Sequence, residues 1–244
     1  MNYDDERKDL NAQKLNIIQF QNGKVLTVQA GMAQPAALTI QRLQEIAGDV
    51  RIENSQSVER VFSEAMRSVK KTLIGDMDLS DQKTKDYVNQ DFGFSFLVGY
   101  YIGGKPFLGE IKLHDCTLWP VEKKDFASIG IGNHLADYLL KEYHVADADF
   151  GCGDQIAVSV IKKVKDNVKF CGGKTQIGIV FPSLMENFEC NADICPDGFV
   201  NLLELNLKAQ ENDLLKTKNA MLLSFSRAVD ESFRAAWEKG KPSV

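Results

Sequence analysis

The chain has 244 residues, 44% of them hydrophobic and 26% charged, an ordinary globular composition that can bury one substantial core or two small ones. Its net charge of −5 disfavours nucleic acid and anionic membranes as partners, and no run approaches the roughly 20 apolar residues of a membrane span. The opening segment 1–13 is polar and acidic, without the basic and apolar regions of a signal peptide, so a cytoplasmic protein is expected.

Residues 14–20 and 24–30 are β-rich runs joined at Asn22-Gly23, a dipeptide that tolerates the geometry of a type I′ turn, and Gly31 ends the second run. Pro35 suits the start of a helix that stops before Gly48 and puts Ala36, Ile40, Leu43 and Ala47 on one face. A second helix from about Ser57 aligns Val58, Phe62, Ala65, Val69 and Leu73. Residues 75–86 are polar and read as an exposed loop. The aromatic run 93–102 then forms a second hairpin with 107–113 through a Gly103-Gly104-Lys105-Pro106 turn, and 116–132 continues the sheet. A helix capped by Asn133 follows, then one starting near Asp154, a strand over 175–181, and a helical pattern from 201 to 239. Strand blocks alternating with helix pairs do not make a parallel βαβ sheet. They predict an α+β fold, a four-layer αββα sandwich of two antiparallel sheets flanked by helix pairs, over 14–200, with a C-terminal helical extension over 201–244.

The five cysteines, Cys116, Cys152, Cys171, Cys190 and Cys195, form no CxxC pair, and the three histidines never share a metal-ligand spacing, so no metal or other cofactor is expected. Cys190 and Cys195 could bridge in an oxidising compartment; thiols in a reducing one are the plainer reading.

The order of elements and their glycines resembles the proteasome β-type family of N-terminal-nucleophile hydrolases. Residues 94–111 resemble its central hairpin, 126–140 the Gly-Ser-Gly segment that opens a helix, and 154–166 with Cys171-Gly172-Gly173 a helix and its Ser-Gly-Gly turn. Residues 14–18 with 28–31 resemble the hairpin that carries the active-site lysine and glycine. The resemblance implies threonine-type hydrolysis of peptide bonds, in which an N-terminal nucleophile is activated by a nearby cation and the oxyanion is held by a backbone amide. By position Lys14 is that lysine, Gly31 supplies that amide, and Cys171 stands in the Ser-Gly-Gly turn. An ordinary strand-edge lysine is the other reading of Lys14, and a small buried residue the other reading of Cys171.

The family's nucleophile strand has no counterpart in 1–13, Ile131 stands for the serine of Gly-Ser-Gly, and Val168 for an aspartate, with Asp166 two residues earlier. His114, Asp115 and Cys116 contain the residue types of a thiol dyad, and in a strand His114 and Cys116 would share a face. Two functions follow: a peptidase subunit, inactive as this sequence stands, or a non-catalytic subunit that builds rings with itself or with proteasome-like subunits. An unrelated α/β binding domain is a third.

Overall fold

The computed structural model describes residues 14–75, 80–84, 86, 92–121, 126–143, 150–169, 171, 174–183, 189–213 and 216. Segment 1–13, Gly172, Gly173, the side chain of Cys152 and residues 217–239 of the expected last helix lie outside them. The chain divides into two compact units, Met1–Val200 and Asn201–Val244.

In the first unit, β1 (Leu15–Phe20) and β2 (Gly23–Gly31) are followed by α1 (Ala33–Ala47) and α2 (Ser55–Ile74). Next come β3 (Phe94–Ile102), β4 (Lys105–Lys112), β5 (Leu118–Pro120), α3 (Asn133–Tyr143) and α4 (Phe150–Asn167), then β6 (Gly178–Pro182) and β7 (Cys190–Ile194). A further helix, α5, spans 197–213. Of the stretch 116–132 expected in the sheet, only β5 is strand. Within 75–86, residues 82–84 are helical, started by the Asp81 carboxylate, which accepts from Thr84 N–H at 3.0 Å.

The strands form a single mixed sheet in the order β5-β4-β3-β2-β7-β6, with β1 paired to β2. This replaces the expected pair of antiparallel sheets and the four-layer sandwich built from them. The physical reason lies at one position: Gly23 pairs in parallel with Cys190 and so joins the β6–β7 hairpin to β2. Gly23 permits the approach, since a Cβ there would stand 3.1 Å from Cys190 Sγ. The sheet curls until β6 meets β2 and β3. A Cβ on Gly178 would meet Leu26 at 2.7 Å, and one on Gly99 would meet Val180 at 3.4 Å.

Strand alternation gives the sheet two apolar faces. Ile18, Phe20, Val25, Phe96, Val98, Tyr100 and Ile111 pack with Leu43 of α1 and Val58, Phe62 and Met66 of α2 in the main core. Their neighbours Leu15, Ile17, Leu26 and Val28 point the other way, against Val180, Ala192 and Ile194 of the returning hairpin. α2 begins two residues earlier than its periodicity suggests, because Asn54 Oδ1 accepts from Ser57 N–H at 3.0 Å and caps it.

The first hairpin turns differently from expectation. Phe20 pairs with Gly23, so the two loop residues are Gln21 and Asn22, and neither has a positive φ. Asn22 is held instead by its buried side chain: Nδ2 donates to Ile52 O at 3.0 Å, and Oδ1 accepts from Ile52 N–H at 2.6 Å. The type I′ geometry belongs to the second hairpin, where Gly103 and Gly104 have φ of 54° and 74° between paired Ile102 and Lys105.

Candidate functional site

Gly31 closes β2 with a φ of 103°, and a Cβ there would lie 2.4 Å from Gly93 O, so only glycine fits. On either side of it the ladder alternates. Gln29 N–H donates to Lys14 O at 3.0 Å and Met32 N–H donates to Gly93 O at 3.0 Å. By that alternation the amide of Gly31 faces the β1 side and not β3.

Lys14 lies immediately before β1 and is exposed. Its main chain is anchored at both ends, since its N–H donates to Gln176 Oε1 at 2.9 Å while its carbonyl holds Gln29. The same Gln176 oxygen accepts from Leu15 N–H at 3.3 Å. Cys171 follows α4, its N–H donating to Val168 O at 3.1 Å. Its sulfur is 3.2 Å from where a Cβ on Gly132 would be, and a Cβ on Gly130 would stand 3.3 Å from that of Ala30. The turn Gly130-Ile131-Gly132 therefore lies between the end of β2 and Cys171. Around this turn the structure brings Gly31 and Cys171 to opposite sides, with Lys14 tied to the segment that follows Cys171.

Three polar residues at this end were not singled out from sequence. Ser128 Oγ stands 2.6 Å from Asp137 Oδ1 and 3.0 Å from Asn133 O, fixing the entrance to α3. Gln176 is the third. None carries a local signal, because each partner is distant in sequence or lies across a turn. Ile131 is 72% exposed, so its side chain projects from the turn and not into it. Val168 ends α4, donating its N–H to Val164 O at 2.8 Å.

The His114-Asp115-Cys116 group fails as a dyad. Residues 113–115 form a turn, not a strand, and Cys116 follows with a φ of 53°. The Cys116 thiol is buried and donates to Leu113 O at 3.1 Å; burial pushes its pKa up, with Asp115 adding to the effect against Lys70 and Arg67. A protonated, enclosed thiol is a poor nucleophile. Cys190 and Cys195 bracket β7 and are thiols; the two ends of a five-residue strand lie too far apart for a disulfide. Among the described residues, no three His, Cys, Asp or Glu side chains gather to hold a metal ion. No helix among them is long and apolar enough to cross a membrane.

No family model and no curated protein matches the sequence. Solved structures do resemble the fold, several of Anbu among them. A mutant of Anbu from Hyphomicrobium sp. superposes with a TM-score of 0.55 at 16% identity, over 95% of this chain and 86% of that one. Anbu from Yersinia bercovieri, named as an ancestral β-subunit, gives 0.52 at 13% identity over 84% of each chain. The helical assembly of the Anbu complex from Pseudomonas aeruginosa gives 0.56 at 15% identity, again over 84% of each. The likeness is thus to the Anbu fold. Together with the single mixed sheet, it overturns the assignment to the proteasome β-type family made from the glycine motifs.

Proposed function

We propose that the chain is a proteasome-like assembly subunit, related in fold to Anbu, that associates with further copies of itself. The observation that carries this reading is the likeness, over 84% of each chain, to an Anbu structure solved as a helical assembly. Large apolar side chains at the surface are in keeping with it: Trp119, Tyr138, Leu202 and Leu205 are 54–62% exposed. The described cysteines Cys116, Cys171, Cys190 and Cys195 are free thiols, which suits a reducing compartment such as the cytoplasm. Native mass spectrometry across a concentration series tests the reading. Species of several copies that grow with concentration are expected, and a chain that stays monomeric throughout overturns it.

A second reading, hydrolysis of peptide bonds, draws its support from Gly31, whose amide faces the β1 side at the end of β2, with Lys14 before β1 bonded to Gln29 of the same strand. In it the Gly31 amide would hold an oxyanion, Lys14 would lower the pKa of a nucleophile, and Cys171 would line the turn. Ile131 and Val168 offer no exchangeable proton, so the Ser128–Asp137 pair is the nearest polar support. Fluorogenic peptide amides should then be cleaved by the wild type and spared by Lys14→Ala. Cleavage that persists unchanged in Lys14→Ala rules this reading out.

A further inference from the structure

β6 and β7 form a hairpin that is bonded more firmly within itself than to the rest of the sheet. Its strands pair at every position from Gly178↔Ile194 to Pro182↔Cys190. Cys195 N–H extends that ladder by donating to Ile177 O at 2.8 Å. Beyond it Lys174 and Asp197, on either side of the hairpin, form an ion pair. Against β2, by contrast, the ladder consists of the one parallel pair Gly23↔Cys190. β2 and β3 share six pairs, from Leu26↔Gly99 to Gly31↔Phe94.

Side bonds add to that single pair at the two ends of the hairpin. At the loop end, Cys190 Sγ donates to Lys24 O at 3.0 Å and Glu189 N–H donates to Asn22 O at 2.8 Å. At the open end, Gln176 Oε1 accepts from Lys14 N–H at 2.9 Å and from Leu15 N–H at 3.3 Å. Between the ends the contact is apolar and shallow. Leu15, Leu26 and Ala192 are buried there, while Ile17, Val28 and Val180 are only partly covered. On the opposite face of the sheet, the main core encloses Leu43, Phe62, Met66, Phe96 and Tyr100 completely. The free energy of opening a segment grows with the apolar surface it exposes, so the thin layer opens at lower cost than the thick one.

We infer that β6–β7 is a strap that lifts off the sheet as one piece while the main core stays folded, with Gln176 as its clasp. Lifting breaks the ties at Lys14, Leu15, Asn22 and Lys24 but leaves the pairing of β6 with β7 in place. It uncovers the apolar side of β1 and β2 that carries Leu15, Ile17, Leu26 and Val28. It also brings Cys190 into solvent; this is the one described side chain of the pair that reaches the main core. The strap rests on neither the assembly reading nor the hydrolysis reading.

Labelling the native full chain with N-ethylmaleimide across a urea series, read by peptide mapping, tests this. Cys190 is expected to react through an opening that depends on urea less steeply than global unfolding, followed on the same samples by circular dichroism. Gln176→Ala should speed the labelling of Cys190 about tenfold and leave that of Cys116, in the main core, unchanged. Gln176→Glu keeps an oxygen acceptor and should restore the wild-type rate. Cys190 labelling with the full urea slope of global unfolding overturns the strap. So does a Gln176→Ala variant that leaves Cys190 unchanged or accelerates Cys190 and Cys116 alike. The slope is read on the wild type, so it decides even where the variant does not fold.

Discussion

Asn22 shows how one side chain can do the work expected of a turn type. Its carboxamide exchanges two hydrogen bonds with the backbone of Ile52, and its own carbonyl accepts from Glu189 N–H at 2.8 Å, so it ties the first hairpin to two other segments. Asn22→Ala strands the buried N–H and C=O of Ile52 and should cost about 3 kcal/mol, read as a lower denaturant midpoint at unchanged slope. Tyr100 presents the opposite case. It is fully buried, its hydroxyl has no hydrogen-bond partner, and burial drives its pKa upward. Tyr100→Phe keeps the ring stacked on Phe107 and removes an unsatisfied polar atom, so stability should hold or rise by about 1 kcal/mol in the same measurement. Around the candidate site, sequence was legible at this scale only where backbone chemistry dictates the residue. Gly31 stood out because glycine ends a strand for few reasons. Ser128, Asp137 and Gln176 did not, because their partners are set by how elements meet.

Elements with a strong period were readable in the sequence, and those specified by contacts were not. β1 to β4, α1 and α2 follow alternation or helical spacing of apolar residues closely enough to be placed within a few positions. β7 was missed. Its run Cys190-Asn191-Ala192-Asp193-Ile194 has two polar members and no aromatic, and it becomes a strand by pairing with β6 along its whole length. The mixed sheet was equally hidden, since the parallel bridge joins residues whose neighbours in sequence give no sign of it. Helix starts fell between these extremes. Asn54 caps α2 by accepting from both the N–H and the hydroxyl of Ser57, and removing it with Asn54→Ala should cost about 1 kcal/mol, visible as a drop in melting temperature. Asn54→Ser should recover most of that loss, because a hydroxyl can accept the same amide.

At the scale of the whole molecule, acidity offers a test of packing. Asp154, in α4, has its pKa raised by burial, so the folded chain binds that proton more tightly than the unfolded chain does. Its ionised form therefore opposes folding above the raised pKa, and the penalty fades as pH falls towards the ordinary carboxylate range. Asp154→Asn should melt higher than the wild type at neutral pH, with the difference closing on acidification when both are followed by thermal scans. The stitch between Lys14 and Gln176 has a consequence in time. The two residues stand 162 positions apart, and the carbonyl of Lys14 also holds Gln29 of β2. α1, α2 and the first two hairpins can form from near neighbours, whereas this link must wait until residue 176 has been made. During synthesis the Lys14 end is consequently fixed late, after α1, α2 and the first two hairpins can already have formed.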